Sequence, residues 1–119
     1  MTKLLIIYHS RTGGTRQMAE AAAGAARDET DTLLKRAEDT GPEDLLTAEG
    51  YLFAAPENLA ALSGEMKEFF DRCYYPVLGE IEGRPYGLMI CAGSDGENAA
   101  RQAARIATCL LYTSPSPRD

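Results

Sequence analysis

The sequence predicts an α/β domain, a doubly wound parallel sheet with helices on both faces. Three observations carry that expectation. Strand-like and helix-like segments alternate as βαβαβαβα, the order that builds a parallel sheet with right-handed crossovers. The first strand, Lys3-Leu4-Leu5-Ile6-Ile7-Tyr8, is a continuous apolar run, as expected of a strand covered on both faces. A polar, glycine-containing turn at Ser10 to Gly14 then joins that strand directly to a helix. At 119 residues and 45% hydrophobic, the chain suits one domain.

The elements follow in order. Thr15 to Arg27 reads as the first helix, with Met18, Ala22, Ala25 and Ala26 on one stripe. Thr32 to Lys35 is the second strand, and Pro42 to Ala48 a short helix with proline in its first turn. Tyr51 to Ala55 is the third strand, closed by Pro56, and Pro56 to Ser63 reads as a loop. A helix starts near Ser63 and carries Met66, Phe69, Phe70 and Cys73 at i, i+3, i+4 and i+7, so these side chains belong to the core. Asp71 and Arg72 read as a surface ion pair of little energetic weight. Gly87 to Cys91 is the fourth strand, and the helix from Glu97 to about Cys109 stripes Ala100, Ala103, Ile106 and Ala107. No segment repeats.

Charge and cysteine use narrow the function. The net charge of −6 argues against a nucleic-acid surface, which needs clustered Lys and Arg to meet phosphates. The acidic surface reads first as solubility and, as the alternative, as a docking surface for a basic redox partner. The stretch Leu4 to Tyr8 is too short for a secretory signal, and no apolar run approaches the roughly 20 residues of a membrane span. Cys73, Cys91 and Cys109 form neither a CxxC pair nor a metal-ligand spacing; a reduced, cytoplasmic protein without a metal is the expectation. Cys91, at a strand end, is expected to be buried and inert.

The chemistry concentrates in Ser10-Arg11-Thr12-Gly13-Gly14-Thr15. A strand running into a hydroxyl- and glycine-rich loop and then a helix is a phosphate-binding arrangement. Glycines let backbone N–H groups turn inward, and the helix N-terminus adds partial positive charge. Neither the nucleoside-triphosphate pattern G-x-x-x-x-G-K-[ST] nor the dinucleotide pattern G-x-G-x-x-G is present. A simple helix cap would use one hydroxyl, whereas three surround the two glycines here. Arg11 either pairs with the phosphate or reaches solvent. His9, the only histidine, is read as a packing residue and not as a base. No catalytic dyad is found.

The pattern [ST]-x-T-G-x-T after the first strand resembles the FMN phosphate loop of flavodoxins. The stretches Tyr51 to Asn58 and Ser63 to Arg72, with Tyr74-Tyr75-Pro76, resemble the flavodoxin-like NAD(P)H-dependent oxidoreductases. The likeness covers residues 3 to about 108. It implies a three-layer flavodoxin-like fold of strand order 2-1-3-4, with a fifth strand missing. It also implies FMN as cofactor, held by Ser10, Arg11, Thr12, Gly13, Gly14 and Thr15. The ring would be bordered by Pro56, Glu57, Asn58 and Leu59 and by Ala92, Gly93, Ser94, Asp95 and Gly96, since ligands lie beyond the strand carboxyl ends where strand order reverses. Ala60-Ala61 stands where bulkier residues are common. Glu57 and Asp95 would disfavour an anionic reduced flavin, or are ordinary surface acids. The function implied is electron transfer from NAD(P)H through flavin to a quinone or similar small acceptor, or to a redox protein. A non-enzymatic flavodoxin carrier is the alternative. A receiver-type signalling module lacks its acidic cluster here and is set aside. Residues 109 to 119 read as an ordinary disordered terminus or, the favoured reading, resemble the translation of a sequencing adapter read in frame; either way they are expected to lie outside a domain that is incomplete at its C-terminus.

Overall fold

Leu5, Ile6 and Ile7 are fully buried at the centre of the sheet, as their uninterrupted apolar run requires. The computed structural model describes residues 3–10, 13–58, 61–91 and 97–111. The elements are β1 (Lys3–Tyr8), α1 (Gly14–Ala26), β2 (Asp31–Arg36), a 3-10 turn (Ala37–Asp39), α2 (Pro42–Thr47), β3 (Gly50–Asn58), β4 (Ala61–Leu62), α3 (Gly64–Val77), β5 (Tyr86–Cys91) and α4 (Glu97–Leu111). β1 lies in parallel between β2 and β3, and β5, the fourth strand of the sequence reading, pairs in parallel with β3. The parallel order β2-β1-β3-β5 is the expected 2-1-3-4 arrangement.

Alternate residues of each strand face opposite layers. Leu5, Ile7, Tyr51, Phe53 and Ala55 pack against Leu45 of α2, the stripe Met66, Phe69, Phe70, Cys73 and Val77 of α3, and Ala103, Ala107 and Leu111 of α4. Phe53 is the hub: it meets Phe70 edge-on at 5.0 Å between ring centroids and has Tyr86 at 6.0 Å, Tyr51 at 6.1 Å and Phe69 at 6.4 Å. The opposite face is thinner. There Ile6, Tyr8 and Ala54 meet Ala19 and Ala23 of α1, with Leu4, Leu52 and Met89 only partly covered. A groove of about 260 Å³ runs beside them over Leu52 and Gly87. Among the described residues β5 has one strand neighbour, so its outer side is a sheet edge.

Several expectations shift. β3 does not stop at Pro56 but runs to Asn58 and turns back into β4, with Glu57 opposite Leu62 and Asn58 opposite Ala61. The last β1–β3 pair is Tyr8 and Ala54, so Pro56 has only β5 beside it, and a residue without an N–H is tolerated there. In α1 the buried line is Thr15, Ala19 and Ala23, with Ala25 exposed. In α4 it is Ala99, Ala103, Ala107 and Leu111. α4 reaches Leu111, beyond the expected end at Cys109, because Leu111 continues the i, i+4 line into the core and its carbonyl accepts from Gly83 N. Asp71 and Arg72 do not pair with each other. Lys67 bonds Asp71 at 2.8 Å, and Arg72 pairs with Glu68 while its Nη groups donate to the carbonyls of Thr40 and Ala37. Cys91 is only partly buried. Among the described residues no helix is long and apolar enough to cross a membrane.

Two outcomes follow for measurement. Phe53→Ala empties the centre of the aromatic cluster and is expected to cost about 3–5 kcal/mol in urea unfolding. Burial pushes the Cys73 thiol up to about 11, so at pH 8 a thiol reagent should label Cys91 in the native protein. Cys73 should label only after denaturation, as peptide mapping would show.

Candidate functional site

Parallel pairing brings the carboxyl ends of three strands to one edge of the molecule. Tyr8 at the end of β1 lies opposite Ala54, and Pro56 lies opposite Cys91 at the end of β5. His9 N donates to the Ala54 carbonyl at 3.0 Å, carrying the β1–β3 ladder one step further before the chain leaves the sheet. The described ends of β1 and β5 therefore lie on either side of β3 at one edge of the sheet.

The turn after β1 is shaped by its sequence. Ser10 Oγ accepts a hydrogen bond from Gly13 N at 3.0 Å, which draws the turn closed and leaves the hydroxyl proton free to point elsewhere. Gly13, at φ +100, holds a left-handed conformation that glycine alone adopts cheaply. It is the N-cap of α1, and no side chain caps that end. The first turn of α1 holds no acidic residue, so its N–H groups and the positive end of its dipole are not neutralised locally. Thr15, 2% exposed, sits in that turn, and its hydroxyl has no hydrogen-bond partner among the described residues. A Cβ on Gly14 would stand 3.2 Å from Cys91 Sγ, so a bare backbone is what lets α1 begin against the end of β5. Neutral donors, a helix N-terminus and a glycine-lined backbone together suit a phosphomonoester.

His9 is buried, as the packing reading expects, and also has a partner the sequence did not reveal. Its Nε2 lies 3.4 Å from Glu65 Oε1 in the first turn of α3, while Nδ1 is enclosed without a partner. Ser63, fully buried, caps α3 by accepting from Met66 N. The start of α3, just after the β3–β4 hairpin, is thus fastened beside the phosphate turn. The structure brings together Ser10, Gly13, Gly14 and Thr15; Pro56 lies opposite Cys91, which stands beside Gly14, while Glu57 and Asn58 pair with β4. Arg11, Thr12, Leu59, Ala92, Gly93, Ser94, Asp95 and Gly96 lie outside the described residues.

The sequence reading missed a neighbouring pocket of about 220 Å³, lined by Tyr8, Ser10, Gly13, Arg16 and Arg36. Arg36 stands opposite Tyr8 in the β1–β2 ladder. No local pattern marked it, because only strand pairing sets Arg36 beside Tyr8.

Comparison with known proteins agrees with this geometry. Residues 2–117 match the family model described as NADPH-dependent FMN reductase. A flavodoxin of Aquifex aeolicus (strain VF5) is 41% identical over 96 residues, which are 79% of this chain and 50% of that protein. An NAD(P)H dehydrogenase (quinone) of Acidithiobacillus ferrooxidans is 32% identical over 94 residues, 60% of this chain and 47% of that protein. The chain thus spans about half the length of the curated relatives it matches. Among solved structures, a flavodoxin from the domain Archaea superposes with a TM-score of 0.85 at 21% identity, covering 98% of this chain and 80% of the other.

The turn can be tested without any ligand. Gly13→Ala forces a Cβ into the left-handed region and should destabilise the protein by about 1–2 kcal/mol. Gly24→Ala, at a position in α1 where a new Cβ meets nothing within 4 Å, should instead stabilise by roughly 0.5–1 kcal/mol. Paired urea titrations separate the two.

Proposed function

The chain belongs to the NADPH-dependent FMN reductase family, and from that premise we propose that it holds FMN and passes electrons from NAD(P)H to a quinone or similar small acceptor. The observation that carries the reading is the turn after β1. It is locked by Ser10, bent at a left-handed Gly13, and followed by a helix start free of acidic residues.

Each group has a role on this reading. The hydroxyls of Ser10 and Thr15, with Thr12 in the same loop, donate to phosphate oxygens, and backbone N–H groups at the start of α1 add charge-independent donors. Gly14 keeps the path between the turn and β5 clear of side-chain atoms. The segment Pro56 to Leu59 and the segment Ala92 to Gly96 border the ring from the neighbouring strands. His9 and Glu65 keep the start of α3 in register with the turn. FMN, when bound, supplies the hydride and electron chemistry; no side chain of this chain is assigned as acid or base.

The non-enzymatic electron carrier is the second reading. It is favoured by the acidic balance of −6, which suits docking to a basic partner, and by the similarity to the Aquifex flavodoxin. The two differ in one property, direct reduction by a nicotinamide nucleotide.

Reconstitution with FMN followed by anaerobic NADPH addition tests both. Bleaching of the yellow absorbance by NADPH alone is expected; retention of colour until a reductase is added would favour the carrier. Thr15→Val should weaken FMN binding about 10–100-fold through loss of a charge-assisted donor. A folded protein that takes up no FMN would overturn both readings.

A further inference from the structure

We infer that the pocket between the ends of β1 and β2 and the start of α1 is a second phosphate subsite, one that takes the adenosine-side phosphate of a dinucleotide. Five residues line it: Tyr8, Ser10, Gly13, Arg16 and Arg36. Ser10 and Gly13 also form the phosphate turn, so the pocket opens directly beside the site assigned to the flavin phosphate. Tyr8 and Arg36 face each other across the β1–β2 ladder, and Arg16 comes from the first turn of α1. Two arginines on separate elements therefore line one small cavity.

Their present bonds leave them able to take an anion. Arg16 uses Nε on Glu20 at 3.0 Å, and Arg36 uses Nε on Glu38 at 3.1 Å. The Nη groups of both have no protein partner among the described residues. Arg16 and Glu20 share α1, and Glu38 lies in the 3-10 turn directly after Arg36, so each arginine is tethered by a near neighbour in sequence. The Arg16 guanidinium is held more firmly protonated by the hydrogen bond and charge of Glu20 and by Tyr8. A guanidinium fork matches phosphate geometry with two parallel N–H bonds, and two forks beside a helix N-terminus suit a phosphoryl group better than a carboxylate. Continuity with the phosphate turn identifies the source as a nucleotide that extends beyond FMN. Either FAD, whose second phosphate adjoins the first, or NADPH, through its ribose phosphate, presents that chemistry.

Only the identity of the flavin neighbour rests on the proposed function; the anion site itself does not. The experiment therefore has arms that separate them. With the full chain, adenosine 2′,5′-bisphosphate is titrated by calorimetry in the absence of flavin. FMN and FAD affinities are then compared by fluorescence quenching, and NADPH with NADH by the rate of flavin reduction. Wild type is expected to bind the bisphosphate and to prefer FAD over FMN, or NADPH over NADH. The double variant Arg16→Gln with Arg36→Gln should lose about tenfold or more in bisphosphate affinity and in whichever preference is present, with FMN affinity and thermal midpoint unchanged. A preference between flavins assigns the subsite to FAD, and a preference between nicotinamide nucleotides assigns it to NADPH. Failure of wild type to bind the bisphosphate, or equal binding by the variant, overturns the subsite. Equal loss of FMN also overturns it, because the pocket would then be part of the flavin phosphate site. Absence of FMN binding with bisphosphate binding intact overturns the proposed function and leaves the subsite standing.

Discussion

Register in the parallel sheet is the constraint on which the ligand end depends. A parallel ladder puts the carboxyl ends of neighbouring strands side by side, and the pairs Tyr8–Ala54 and Pro56–Cys91 set how far each strand projects. Slipping β3 by one residue would exchange the side chains facing its two helix layers, taking Phe53 out of the aromatic cluster and Ala54 off α1. The core and the site are thus coupled through one geometric fact. The side chains that bury Phe53 against α3 also hold the three following segments at a common height.

The crossovers that carry the chain back across the sheet are held by two arginines used as backbone ligands. Arg72, on α3, donates to the carbonyls of Ala37 and Thr40 around the 3-10 turn. Arg84, just before β5, reaches the carbonyls of Leu45 and Ala48 at the end of α2 and the Tyr51 hydroxyl. A short helix such as α2 leaves most of its terminal carbonyls without internal partners, and a guanidinium with several donors satisfies them at once. Its other end is closed by Asp44, which accepts from Gly41 N at 3.0 Å and from Lys35 at 2.9 Å. Partial burial alone would raise the Asp44 carboxyl; the Gly41 and Lys35 bonds outweigh it and hold it below the usual carboxylate range.

Legibility in the sequence followed side-chain size. The α3 stripe was readable because Met66, Phe69, Phe70 and Cys73 differ sharply from the charged residues between them, and all four are buried. The α1 and α4 stripes were displaced because alanine is acceptable on either face of a helix, so runs such as Ala21-Ala22-Ala23 mark no side. The bend after β1 was readable from glycine and hydroxyl spacing, since the left-handed conformation at Gly13 and its hydrogen bond to Ser10 Oγ join residues three apart. The β3–β4 hairpin was not, because Ala61-Leu62 is too short to show alternation and Pro56 is normally a stop. Arg36 and the His9–Glu65 contact were illegible for another reason. Each depends on residues distant in sequence, and periodicity holds no information about which strand end lies beside which.

The proposed phosphate grip and an acidic net charge are compatible once distance is considered. At physiological ionic strength, charges more than about 8 Å apart are largely screened, so most of the carboxylates behind the net charge of −6 contribute little at the turn after β1. What acts there is local. α1 has no acid in its first turn, Gly13 leaves the helix end uncapped, and Arg16 and Arg36 are the charged groups lining the adjoining pocket. Glu20 and Glu38 bond Nε of those guanidiniums and leave the Nη donors without a protein partner among the described residues. On the proposed reading those short-range donors, and not the net charge, would select a phosphoryl group that reaches the turn.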